Sequence, residues 1–195
     1  MLPLIYTNTT AAAVFIAACI VWLIPESPGM LRDMMKASRR GGLVRDANSM
    51  VILIGLQWTG LALNFLLART FPAGALGWHR TALFVLAILF MLSGVALRWV
   101  AIRTLGRYFT RNVVVASSQP VVQDGPYRFI RHPMYAGELL ALLGVCISNP
   151  MLWNWSVMAV FACSLYMRIA DEEALIEGYY KYSRLVAWRL FPYVW

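Results

Sequence analysis

Four stretches of this chain hold no Asp, Glu, Lys or Arg: residues 1–25, 47–68, 81–97 and 139–167. A helix crossing a bilayer needs about 20 predominantly apolar residues, with about 17 as the lower limit. The first stretch has its apolar centre at 11–24. The last, 29 residues long, exceeds one comfortable span and is interrupted by Ser148-Asn149-Pro150, a turn signal. It predicts two tightly joined helices, at roughly 133–147 and 151–167. The sequence therefore predicts an all-α integral membrane protein with about five transmembrane helices. Composition agrees: 61% of the residues are hydrophobic and 13% charged, which excludes a disordered chain and a water-soluble enzyme. Cys19, Cys146 and Cys163 all lie in apolar runs without CxxC spacing, so neither a disulfide framework nor a zinc site is encoded. The first stretch reads as an anchor helix rather than a cleaved signal. Its first cation is Arg32, and it has no small-residue cleavage pattern near Pro25.

The cations test the count of spans. Segments 26–49, 98–131 and the tail from 168 fall on one side of a five-span chain and hold 15 of the 17 Lys and Arg residues. The positive-inside rule then places the N-terminus outside and the C-terminus in the cytoplasm of a multi-pass protein. The net charge of +8 is explained by this topology and by anionic lipid, and no basic face for nucleic acid is visible. Two parts result. Residues 1–97 form a three-helix membrane region with a cytosolic loop at 26–49. There Leu31, Met34 and Met35 beside Lys36, Arg39 and Arg40 permit an amphipathic surface helix. Residues 98–195 hold a polar loop, to which the resemblance given below assigns cofactor binding, a transmembrane hairpin at 133–167 and a helical cytosolic tail.

Polar chemistry is confined to two places. One runs from Gln119 to Tyr135, the other from Arg168 through Asp171, Glu172 and Glu173 into the tail. Asp124-Gly125-Pro126 is a turn signal. Pro133 suits the first position of a helix, which puts His132 at its N-cap, where free backbone N–H groups favour an anion. Fifteen residues of helix climb ~23 Å and seventeen descend ~26 Å. A tight turn therefore returns Arg168 to the depth of His132. Arg168 and Glu172 are four apart and share a helix face. Each residue also has an ordinary reading. His132 suits an interfacial histidine satisfied by backbone, and Tyr127 and Tyr135 suit the aromatic belt. Arg128 and Arg131 suit flanking charges, and Arg168 with the acidic run suits a solvated ion pair. Glu138, about one turn into its helix, is expected to face a cavity. No GxSxG, HExxH, P-loop or GxGxxG occurs.

Gly125-Pro-Tyr-Arg-Phe-Ile-Arg-His-Pro-Met-Tyr-Ala-Gly137, followed by an apolar hairpin and then Arg168, Glu172-Glu173, Tyr179, Tyr182 and Arg189-Leu-Phe-Pro192, resembles the isoprenylcysteine carboxyl methyltransferase family. Leu105-Gly-Arg-Tyr-Phe-Thr110 is similar to that family's entry to the cofactor loop. The resemblance covers roughly 98–195. It implies a membrane-embedded methyltransferase using S-adenosyl-L-methionine, which enters from the cytosol while a lipophilic or small acceptor arrives from the membrane lipid. It further implies that Asn112, Gln119, Pro120, Val121, Val122, Tyr127, His132, Pro133, Met134, Tyr135 and Glu172 bind the cofactor, and that Arg168 orients the acceptor group. No metal is implied. One departure stands out: the segment from Glu173 to Tyr179 is shorter than the family pattern by about four residues, one helical turn. Methyl transfer from a sulfonium to an anionic carboxylate or thiolate needs no general base, so positioning and exclusion of water carry the work. An amine is a further acceptor class. Two rival readings remain. Val186-Ala-Trp-Arg-Leu-Phe-Pro-Tyr193 also resembles the tail of NADPH-dependent membrane sterol reductases, although this chain lacks their additional spans. A non-catalytic membrane subunit is the other.

Overall fold

The computed structural model describes residues 3–23, 47–70, 80–109, 121–175 and 179–195. Among these residues lie six α-helices and no strand. They are α1 (Thr9–Leu23), α2 (Ala47–Thr70), α3 (Arg80–Leu105), α4 (Pro133–Ser148), α5 (Leu152–Leu175) and α6 (Tyr179–Leu185). Short 3-10 turns occupy Leu4–Tyr6, Gly106–Tyr108 and Gly125–Arg128. The all-α expectation holds. Of the expected loop 26–49, positions 26–46 lie outside the described residues, as do Asn112, Gln119 and Pro120.

Local chemistry sets several helix ends. The Asn8 side chain accepts from the Ala11 N–H at 3.0 Å, capping a helix with no acidic residue in its first turn. His132 is the N-cap of α4 with Pro133 at its first position, as the sequence indicates. The turn after α4 is polar and buried. Ser148 Oγ donates to the Val145 carbonyl at 2.7 Å, and the Asn149 carbonyl accepts from the Met151 N–H at 2.7 Å and from the Asn154 side chain.

One helix, Thr81–Leu105, is long and apolar enough to cross a membrane by itself. The shorter apolar helices Thr9–Trp22, Trp58–Leu67 and Pro133–Ser148 do not reach that length. The physical reason lies in the rise per residue. A sixteen-residue α4 is about 24 Å long, against a hydrocarbon core of about 30 Å. In α5 the length suffices, but Arg168, Asp171, Glu172 and Glu173 occupy its last turns. α3 and α5 both run eight residues beyond their expected ends at 97 and 167. Arg98 is therefore a helical residue, and Arg168 and Glu172 share a helix face as the sequence indicates.

The core differs from the sequence expectation in one respect: the most extensive helix pair is α3 with α4, ahead of α4 with α5. Small residues bring the two backbones together. A Cβ on Gly137 would stand 2.6 Å from the Gly94 carbonyl oxygen and 2.9 Å from the Arg98 nitrogen. A Cβ on Gly144 would stand 2.5 Å from the Ala87 carbonyl oxygen. Ala87, Met91, Ala101, Ala136 and Ala141 are fully buried alongside. Such close approach gains dispersion along the whole contact, a driving force that persists in lipid. Within this seam Arg98 Nε lies 3.3 Å from Glu138 Oε2, and Arg98 Nη1 donates to the Met134 carbonyl at 3.4 Å. Glu138 therefore faces an arginine on α3.

α1 buries Phe15, Ala18, Cys19 and Trp22 on one face, toward α3. The opposite faces of these helices are apolar too: Val14, Ile16 and Ile20 on α1 and Val85, Leu86, Leu89, Leu92 and Val100 on α3 are exposed. Contiguous exposed apolar surface of this kind marks a non-aqueous partner.

Candidate functional site

Three chain segments converge beyond the N-terminal end of α4. The first is Ile130–Arg131–His132 leading into that helix. The second is the last two turns of α5. The third is the tail at 186–195, whose backbone pairs with the first: the Arg131 and His132 N–H groups donate to the Trp188 and Arg189 carbonyls, both at 2.8 Å. Leu190, with Trp188 and Phe191 against it, packs on the core together with Ile130, Tyr135 and Ile169.

Four of the residues singled out in the sequence meet here. Tyr135 is on the first turn of α4, and its hydroxyl donates to Glu172 Oε1. That hydroxyl also accepts from Arg168 Nε at 2.7 Å, and Arg168 Nε lies 3.2 Å from Glu172 Oε1. The His132 ring stacks on Tyr135 at 5.8 Å, with Nδ1 3.8 Å from Glu172 Oε2. The side chain of Arg168 is 2% exposed, so its charge is buried beside its counter-ion.

The neighbouring Glu173 collects a second set of partners. It accepts from Arg131 Nη1 at 2.9 Å, from Arg189 Nη2 at 2.9 Å and Nε at 3.1 Å, and lies 3.1 Å from His132 Nε2. The Tyr179 hydroxyl reaches it at 3.4 Å and stands 3.0 Å from His132 Nε2. Burial by itself would raise the Glu173 carboxyl. Hydrogen bonds from His132 and Arg189 and the charge of Arg131 outweigh burial and hold it at about 2. The Tyr179 phenol is pushed up, first by burial and then by the Glu173 charge. Glu173, Arg131, Arg189 and Tyr179 carry no site role in the sequence reading, and Arg131 is there a flanking charge. The available signal is geometric. Adjacent residues on a helix diverge by about 100°, so Glu172 and Glu173 must serve two different clusters.

The remaining expected residues lie around this centre. Pro133 starts α4. Met134 packs on the core, and its carbonyl is held by Arg98. Tyr127 is buried on the Gly125–Arg128 turn. Its carbonyl accepts from the Tyr182 hydroxyl at 2.7 Å, and burial raises its own phenol. Gly125 enters that turn at φ 55°, with Thr104 Oγ1 2.9 Å from where a Cβ would sit. Val121 packs against Tyr179, Tyr182 and Val186. Val122 is half-buried.

The two glutamates differ in what they leave available. Both Glu173 oxygens are engaged. Glu172 Oε2 lies 3.8 Å from His132 Nδ1, beyond hydrogen-bond distance, and its side chain is 20% exposed. A carboxylate oxygen and an imidazole nitrogen 3.8 Å apart suit a shared hydrogen-bond donor, such as a hydroxyl or an ammonium group.

Residues 86–178, from α3 across α4 and α5, match the model of the isoprenylcysteine carboxyl methyltransferase (ICMT) family. This is a family of membrane methyltransferases. The matched stretch takes in the Gly125–Gly137 motif, Arg168 and the Glu172-Glu173 pair on which the resemblance rests. Over 90 residues the chain is also 28% identical to the uncharacterized protein YpbQ of Bacillus subtilis (strain 168). That similarity takes in 46% of this chain and 54% of YpbQ, so the chain spans about half the length of the curated relative it matches.

Proposed function

We propose that this protein transfers a methyl group from S-adenosyl-L-methionine to a lipophilic or small acceptor bearing a carboxylate, thiol or amine, at the cytosolic face of a membrane. The observation that carries the reading is the convergence of His132, Tyr135, Arg168 and Glu172 within the family-matched stretch. The exposed apolar faces of α1 and α3 support residence in a bilayer. Within that reading the five apolar helices span the membrane with the tail inside. Residues 98–195 carry the chemistry, and 133–167 is the transmembrane hairpin.

The residues present fit such a cofactor. Glu172 Oε2 and His132 Nδ1 are placed to accept from its ammonium or ribose hydroxyls, and Tyr127, Tyr135 and Met134 supply apolar and aromatic surface nearby. Val121 and Val122, with Asn112, Gln119 and Pro120, complete the loop in this proposal. When bound, the cofactor supplies an electrophilic methyl group on a positively charged sulfur. Arg168 holds the anionic end of the acceptor, and its contacts to Tyr135 and Glu172 fix its position. The packed tail and helices exclude water, so the work is positioning and low polarity rather than proton transfer.

The test is incubation of the purified protein with methyl-labelled cofactor and a lipid extract, followed by identification of the labelled product. Label in a lipid-soluble ester, thioether or methylamine supports the reading. Absence of label, together with thermal stabilisation by NADPH and none by S-adenosylhomocysteine, overturns it.

A further inference from the structure

Glu173 lies one residue from the candidate cofactor ligand Glu172, yet it faces away from the acceptor side of the cluster. Among the described residues, the charged and titratable groups that face it are Arg131 ahead of α4, His132 at its N-cap, Glu172 on the same helix, Tyr179 on α6 and Arg189 in the tail. Its contacts are short and come from three separate segments of the chain.

The contact to His132 has a chemical consequence. An ionised carboxylate only accepts, so Glu173 Oε1 at 3.1 Å requires a proton on His132 Nε2. If Nε2 carried a lone pair instead, two acceptors would oppose each other at that distance. The Tyr179 hydroxyl, 3.0 Å from the same nitrogen, donates toward Glu173 and leaves its oxygen to accept from Nε2. In the neutral form of the ring, a proton fixed on Nε2 leaves the Nδ1 lone pair toward Glu172. The bond made by one ring nitrogen thus decides what the other can do.

We propose that Glu173 is a positioning residue: it fixes the tautomer of His132 so that Nδ1 acts as an acceptor beside Glu172, and through Arg189 it latches the tail at 186–195 over the start of α4. The assignment rests on the proposed site in so far as His132 and Glu172 bind the cofactor. The tautomer itself does not depend on that reading.

The chain has two histidines, His79 and His132, so 15N-histidine labelling gives a simple spectrum, with H79Q assigning the second ring. Ring nitrogen shifts are to be recorded in lipid nanodiscs across a pH series, for the full chain and for E173Q. In the unsubstituted protein Nε2 is expected to be the protonated nitrogen of the neutral ring. In E173Q the shifts are expected to report a mixture of tautomers, and affinity for S-adenosylhomocysteine is expected to fall about tenfold, the lower end for loss of a partner that orients an inner group. R189Q is expected to leave the tautomer in place while speeding proteolysis within 186–195. A proton on Nδ1 in the unsubstituted protein, or an imidazolium throughout the pH series, overturns the proposal without recourse to any variant. An unchanged tautomer in a folded E173Q overturns it too. If the unsubstituted protein binds no S-adenosylhomocysteine but shows the Nε2 proton and its loss in E173Q, the cofactor reading fails and the positioning role stands.

Discussion

Replacing Gly137 with alanine tests the α3–α4 seam that carries the site. The added methyl would stand 2.6 Å from the Gly94 carbonyl oxygen, 2.9 Å from the Arg98 nitrogen and 3.1 Å from the Arg98 Cβ. Unstrained contacts between such atoms lie near 3.5 Å, so the backbones must part by roughly 0.5–1 Å. That movement stretches the 3.3 Å Arg98–Glu138 contact and shifts His132 and Tyr135, which ride on the start of α4. Overpacking of this kind costs about 1–3 kcal/mol, against a gain of about 1 kcal/mol from the better helix propensity of alanine. A net loss of up to about 2 kcal/mol corresponds to a fall of up to about 8 °C in Tm for a chain of this size. The control is Gly55 on α2, where a Cβ would meet nothing within 4 Å. There alanine is expected to raise Tm by about 2–4 °C. The assay is thermal unfolding of both variants in the same detergent, followed by the stabilisation each gains from S-adenosylhomocysteine. If G137A gains stability as G55A does, the two backbones do not approach as described.

R168K keeps the charge but loses the planar fork, so methyl transfer is expected to fall at least about tenfold while S-adenosylhomocysteine affinity changes less than about threefold. Equal losses in both measurements would place Arg168 in cofactor binding instead. Glu173 has a folded pKa near 2 against an ordinary value of 4.5, so its contribution to stability is complete above about 4.5 and is lost as pH falls toward 2. In a Tm–pH series E173Q is expected to start from a lower plateau and to lose less across that window. Tyr182→Phe removes the hydroxyl that satisfies the buried Tyr127 carbonyl, at a cost of about 1–3 kcal/mol. Faster proteolysis in the tail at 186–195 is the expected sign of it.

Much of the site is legible in the sequence because it depends on short-range rules. Pro133 and the turn after Ser148 fix the two ends of α4, and helix rise alone brings Arg168 level with His132. The partners of the second cluster escape such reasoning. Nothing in the run Arg131-His132 says that one side chain reaches Glu173 while its backbone pairs with Trp188, since those contacts bridge 42 and 57 positions of chain. The α3–α4 seam is hidden for a different reason. Gly94, Gly137 and Gly144 are unremarkable in apolar runs until the facing backbone is known. Charge-free length likewise does not locate helix ends, because it takes no account of where a helix begins or of the polar residues it can carry.

The pairing of Arg131 and His132 with Trp188 and Arg189 imposes an order on biosynthesis. α3 and α4 are made early and dock through contacts available as soon as both have emerged. The imidazole is already present by then, and the two glutamates and Tyr179 follow, but Glu173 still lacks Arg189. A nascent chain therefore passes through a stage in which the helical scaffold stands and the carboxylate hub is only partly neutralised. The segment at 186–195 is made after these groups and closes the cluster, so full neutralisation of Glu173 is expected as a late, single event instead of growing with chain length.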